Sequence, residues 1–195
     1  PVSQHSKKLS IPKSTSIDGL IFWMGFGIDG VFTITIALMW VQYSSPETAI
    51  IIGGLILAVR RISEMIVAPL AGRISDHLGA TLPLLSMLVL CGVGFLLIGI
   101  GSLILGSVAL VLCRGALGTL FPTAAAKIYP RDAMSAFTRN QAWRDIGAAA
   151  GPLATGVLLG IISAELIHLL IFGLFIITSS WFFVSGDYKK LGEHT

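Results

Sequence analysis

Asp29, Arg60, Arg61, Glu64 and Arg114 stand inside long runs of apolar residues, where an ionised side chain is costly unless it faces a partner or a watery cavity. Their spacing sets who can meet whom. Arg60 and Glu64 are four residues apart and Arg61 and Glu64 three apart, so on a helix Glu64 reaches either guanidinium. Asp29 then needs a cation at its own depth, and Arg60, Arg61 or Arg114 can serve. The interior holds three cations against two anions. A surplus arginine calls for an anion: a substrate carboxylate or phosphate, or an acid from a partner domain.

The elements that hold these residues are read from the apolar runs. The chain has 195 residues, 54% hydrophobic and 12% charged, with a mean hydropathy of +0.87. Soluble domains carry roughly 25% charged residues, and one helical crossing of a bilayer takes about 20 apolar ones. Six such runs fit, near Gly19–Trp40, Thr48–Gly72, Thr81–Ile100, Leu103–Ile128, Trp143–Ser163 and Leu166–Val184. Segments such as Leu82–Ile100 show no alternation of polar and apolar residues, which excludes barrel strands. The fold class is therefore an all-α membrane protein, a six-transmembrane-helix bundle. Residues 1–18 read as a cytoplasmic lead-in, 19–186 as the membrane domain and 187–195 as a cytoplasmic tail. At 1.5 Å per residue, Asp29 lies about 15 Å inside helix one and Arg114 at a similar depth from the other end of helix four.

The formal charge of +3 is a topology signal rather than a sign of nucleic-acid binding. Lys7, Lys8 and Lys13 precede the first run, Arg73 follows the second, and Lys127, Arg131, Arg139 and Arg144 surround the fourth connection. Lys189 and Lys190 lie in the tail, whereas the first, third and fifth connections hold no Lys or Arg. Loops rich in Lys and Arg are cytoplasmic, so both termini are expected there, in a plasma (inner) membrane protein. Trp40 and Tyr43 at the outer boundary, and Trp23, Trp143 and Trp181 nearer the inner one, fit interfacial belts.

The third and sixth runs hold no Asp, Glu, Lys or Arg in their interiors and read as lipid-facing supports. A three-helix pattern with a midplane charge on the first helix of each triplet, Asp29 and Arg114, suggests inverted repeats. Arg144 and Asp145 open the fifth run, followed by Gly147, Gly151, Pro152 and Gly156. That stretch lets another backbone approach closely, with a kink at the proline, and reads as a surface on which a second bundle can rock. Gly72, Asp76 and Gly79 form a tight turn after the second run, and Asp76 is placed to cap a helix N-terminus or pair with a loop arginine. No phosphate-binding glycine loop, zinc motif or nucleophile–base set is present, so neither enzymatic activity nor a metal or cofactor is expected. Cys91 and Cys113 read as small packing residues. His5, His77, His168 and His194 are scattered, with Glu165 and His168 as an interfacial pair one turn apart.

These motifs together resemble the major facilitator superfamily of secondary transporters. The Gly72–Gly79 turn is similar to that family's GxxxDxxG loop, with His77 and Ala80 where basic residues are usual. Cys113-Arg114-Gly115-Ala116-Leu117-Gly118, followed by Pro122, is similar to its fourth-helix motif, and Gly147–Gly156 to the fifth-helix glycine–proline motif of many antiporters. The resemblance implies one half of a transporter with two six-helix halves around a central cavity. The degenerate loop, the basic lead-in and Pro1 point to the C-terminal half. It further implies that Asp29 and Arg114 line the cavity, and that the second and fifth helices meet the missing half, with Asp76 near a facing helix. The expected function is proton- or ion-coupled movement of a small solute by alternating access. The alternative is a transporter-like subunit that binds or assembles other proteins.

Overall fold

The structure, a computed structural model, describes residues 15–192, and every regular element in it is helical. The basic lead-in residues Lys7, Lys8 and Lys13 and the histidines His5 and His194 lie outside the described residues. Six long helices follow one another: α1 (Ser16–Trp40), α2 (Pro46–Leu78), α3 (Thr81–Gly99), α4 (Leu103–Ile128), α5 (Ala133–Leu158) and α6 (Ala164–Val184). A short α7 (Asp187–Gly192) closes the described chain. By length and composition, α1, α3, α4 and α6 are apolar enough to cross a membrane. The two long helices outside that set are α2, with Arg60, Arg61 and Glu64, and α5, with Arg139, Arg144 and Asp145.

Burial separates the helices into an inner pair and their supports. α1 and α4 carry the longest lists of buried side chains, including Ile28, Phe32, Leu117 and Phe121. α5 packs on α1 and α2 on α4; α6 supports α1 and α3 supports α4; α3 and α6 pack on each other. Exchanging the first three helices for the last three leaves this pairing pattern unchanged. Outward-facing side chains are themselves large and apolar, among them Ile51, Met65, Val89, Leu153 and Ile177, as expected where lipid rather than water is the solvent.

Helix boundaries differ from the apolar runs in an informative way. α5 begins at Ala133, ten residues before the fifth run, because its first turns are polar: Ser135, Thr138, Arg139, Asn140 and Gln141. A single 3₁₀ turn, Pro130–Asp132, takes up the connection from α4, and Arg139 and Arg144 thus belong to a helix. α1 likewise starts at Ser16, because Asp18 accepts hydrogen bonds from the Thr15 backbone N–H at 2.8 Å and from the Thr15 hydroxyl at 2.7 Å. α2 ends at Gly79, whose φ of 79° and ψ of 161° belong to a region open to glycine alone.

The middle of α1, Met24–Phe32, is a π-helix, a widened geometry that occurs mostly in short pieces at functional sites. It contains Gly25, Gly27 and Gly30, and the α5 glycines fit against it. A Cβ on Gly30 would lie 2.8 Å from the Gly151 Cα and 3.0 Å from Pro152 Cδ, and one on Gly151 would lie 2.6 Å from the Phe26 carbonyl oxygen. A Cβ on Gly147 would collide with the Phe22 carbonyl, and one on Gly25 with that of Arg144. The small-residue surface of α5 is therefore filled, at Gly147 and Gly151, by α1 of the same bundle, where the sequence suggested a second bundle. Only Gly156, with open space around its Cβ position, keeps a free face.

This contrast yields a test. Gly151→Ala forces backbone apart from backbone and is expected to destabilise the purified protein by about 1–3 kcal/mol, the cost of overpacking. Gly156→Ala meets nothing and is expected to stabilise by up to about 1 kcal/mol through helix propensity. Thermal unfolding in detergent reads both; equal effects at the two sites would contradict the interlock.

Candidate functional site

Asp29 sits within the π segment of α1, and that placement brings it to two arginines at once. Its Oδ1 accepts a hydrogen bond from Arg60 Nη2 of α2 at 2.5 Å and from Arg114 Nε of α4 at 2.6 Å. Glu64, one turn along α2 from Arg60, accepts from Arg60 Nε at 3.2 Å and from Arg61 Nη1 at 3.0 Å, and lies 3.8 Å from Arg114 Nε. Arg60 Nη1 donates to the Thr33 hydroxyl at 3.0 Å, and that hydroxyl donates to the Ile28 carbonyl five residues back. A spacing of five matches the wide turn of a π-helix, so the ionic cluster and the irregular backbone share a residue.

The cluster is graded in exposure. The side chains of Arg60, Arg114 and Asp29 are 7, 11 and 12% exposed and that of Glu64 21%, whereas Arg61 is 72% exposed. They border an open cleft of about 650 Å³ lined by Asp29, Thr33, Leu57, Ala58, Arg60, Arg61, Arg114, Arg144, Asp145 and Ala148. α3 and α6 contribute nothing to it. Arg144 donates from Nε and Nη2 to Asp145 Oδ1 at 3.0 and 2.7 Å. Four arginines thus face three carboxylates, counting Glu64 behind the wall, and the site carries one uncompensated positive charge.

A family model described as Major Facilitator Superfamily matches residues 17–194. The chain belongs to the major facilitator superfamily. No curated protein and no solved structure matches it. Membership together with the four apolar helices makes this an integral membrane protein with a transporter-type function in general.

The cleft unites most of the residues picked out by type and spacing: Asp29, Arg60, Arg61, Arg114, Arg144 and Asp145 line it, and Glu64 is bonded to two of them. Gly118 lies under Arg114, where a Cβ would come within 3.0 Å of Nη1, so glycine makes room for the guanidinium. Pro152 abuts Gly30, and Gly147 and Gly151 lock α5 to α1. Gly72–Leu78 continue α2 as helix and only Gly79 turns, where the sequence suggested a tight turn from Gly72; none of these residues lines the cleft, and Asp76 is exposed with no hydrogen bond or ion pair among the described residues. His168 is fully buried, its Nδ1 2.8 Å from the Ala164 carbonyl and its Nε2 3.5 Å from the Thr35 hydroxyl. It serves the α6–α1 contact and also lies within charge range of Glu165, the neighbour one turn away that the sequence suggested.

A second polar centre escaped notice in the sequence. Asp18, fully buried, accepts from Arg139 Nε of α5 at 2.8 Å. With its amide nitrogen facing Asp18, Asn140 adds a bond of 2.7 Å to Oδ1. The Arg139 guanidinium also stacks 5.1 Å over the Tyr129 ring. The signal was available: Thr15-Ser-Ile-Asp18 before an apolar run is a helix-start pattern, and it places Asp18 on the helix rather than in a lead-in.

The shared carboxylate makes a sign-specific prediction. Asp29→Asn leaves Arg114 buried without its partner and is expected to lower stability by about 3 kcal/mol, the lower end for a broken buried pair. Arg114→Gln added to Asp29→Asn is expected to restore part of that loss. Thermal or denaturant unfolding of the four proteins measures the coupling, and strictly additive losses would show that the two groups do not interact.

Proposed function

We propose that the chain is one six-helix half, built of two inverted three-helix repeats, of a secondary transporter that moves a small solute by alternating access, coupled to a proton or ion. The observation that carries this reading is the cleft: the ionised groups deepest in the apolar helices border open space rather than a dry core. Charge at membrane depth is tolerated in such a chamber and marks solute or ion pathways. The exchange symmetry of the helix packing supports the repeat, since internal repeats with binding at the midplane are a feature of secondary transporters. The exposed apolar faces of α2 and α5, flanking the cleft, support their being covered by the second half.

In this reading all six long helices cross the plasma membrane, with the termini on the cytoplasmic side. Asp29 is the coupling acid. When it is ionised, Arg60 and Arg114 hold it, and the α1/α5 pair is tied to the α2/α4 pair across the cleft. When its charge is removed by a proton, that tie weakens and the cleft walls are free to separate. Gly156 and the exposed Asp76 remain available for contacts with the second half.

Two measurements on the full-length protein test this. Ala58→Cys, on the cleft wall, is expected to react with a membrane-impermeant thiol reagent from both faces of sealed vesicles, because alternating access opens the site to each side in turn. The native Cys91 and Cys113 are fully buried and add little background. Reaction from one face alone would favour a protein-binding subunit over a carrier. Asp29→Asn is expected to abolish coupled uptake while inserting in the membrane normally; wild-type uptake would remove Asp29 from the mechanism.

A further inference from the structure

The donor inventory of the cleft arginines is uneven. All three nitrogens of Arg60 are committed, to Glu64, Thr33 and Asp29. Arg114 is different: Asp29 holds its Nε, and its two terminal amino groups have no hydrogen-bond acceptor among the described residues. The residue is 9% exposed yet lines the cleft, so what exposure it keeps is on the cleft side. A guanidinium offers five N–H donors in a planar fork. The terminal nitrogens of Arg114 are not among the buried unpaired atoms, so they keep contact with open space, and Arg114 lines the cleft.

Two further donors flank it. Arg61 on the α2 wall uses one N–H, on Glu64, and Arg144 on the α5 wall is held only by its neighbour Asp145, 65% exposed. The site as a whole lacks one negative charge. Between the arginines the lining is small or apolar: Leu57, Ala58 and Ala148. A cavity of about 650 Å³ is within the range that holds metabolite-sized ligands.

Resting on the transporter reading above, we infer that the cleft binds a small oxyanion, a carboxylate or phosphate group, gripped by the terminal nitrogens of Arg114 and flanked by Arg61 and Arg144. Asp29 is the positioning residue: by fixing Nε it aims the free edge of the guanidinium. The anion balances the surplus charge, and its carbon body, where it has one, rests on Leu57, Ala58 and Ala148. Binding across the α2 and α5 walls draws them together, so the ligand reports on closure as well as occupancy.

The test uses purified full-length protein with lactate, inorganic phosphate and the neutral solute glycerol as probes, at ionic strength held constant with chloride. One oxyanion is expected to raise the unfolding temperature saturably, and the arm that does so separates a carboxylate site from a phosphate site. Glycerol is expected to do nothing. Arg114→Gln should weaken that binding about tenfold or more, the worth of a bidentate charged contact. Arg61→Gln, at a side chain 72% exposed, and Arg144→Gln, at one 31% exposed and bonded only to its chain neighbour Asp145, should each weaken it severalfold. Gly173→Ala, on α6 away from the cleft, should bind as wild type.

No saturable effect of either oxyanion would overturn the inference, as would a response to glycerol alone. Unchanged affinity in both Arg61→Gln and Arg144→Gln would overturn it even where Arg114→Gln does not fold. Two-sided labelling of Ala58→Cys together with failure of both oxyanions would leave the carrier intact and remove the anion site alone, an acid of the second half then being the occupant of the surplus arginine.

Discussion

One carboxylate oxygen, Asp29 Oδ1, receives two arginines from two different helices, and the arrangement of the bundle turns on it. α1 is joined to α5 by backbones in contact at Gly25, Gly30, Gly147 and Gly151. α2 is joined to α4 in a similar way at Gly115, where a Cβ would come within 3.2 Å of the Ser63 carbonyl and 3.0 Å of Val67. Each pair is thus a close-packed unit held by van der Waals contact, the force available when lipid removes the hydrophobic drive between helices. Among the described residues, the ion pairs that cross from one unit to the other all end on Asp29.

Such a tie survives at depth only because its surroundings are mixed. Isolated ions in hydrocarbon would pay a desolvation penalty that a single pair does not repay. Here the deep members, Arg60 and Asp29, bond to each other, Arg60 also to Thr33 and Glu64 and Asp29 also to Arg114, while the outer members, Arg144, Asp145 and Arg61, are 31, 65 and 72% exposed. The gradient lets the cluster be strong at its root and exchangeable at its rim. Glycine contributes as much as charge does: without the bare Cα of Gly118 the Arg114 guanidinium would have to move.

The helices and the charged set were legible because both depend on local rules. Long apolar runs announce helices, and the three- and four-residue spacings to Glu64 announce its pairings. What stayed hidden depends on contacts between distant segments. The start of α5 at Ala133 lies in polar sequence that hydropathy reads as loop, and it is ordered by Asp18, 121 residues away from Arg139. The π segment of α1 has no hydropathy signature, since widening the turn leaves composition untouched; only three glycines within Met24–Phe32 hint at it. The partner of Gly147 and Gly151 was equally unreadable. A small-residue stripe says that a backbone will come close without saying whose.

The end of the bundle where α1 starts adds a constraint that gives the central tie its meaning. Asp18 clasps α1 to Arg139 and Asn140 of α5, and Asp187 of α7 accepts from Ser16 at 2.7 Å while Lys190 of the same helix lies 5.8 Å over the Tyr129 ring. These contacts fasten the start of α1, the start of α5 and the tail into one assembly, buried and charge-balanced at Asp18. α1 is therefore anchored at its start by ions and along its middle by α5. The π segment, Met24–Phe32, carries both the α5 contacts of Gly25 and Gly30 and the ion cluster at Asp29. Helix packing and ion pairing therefore bear on the same nine residues of α1.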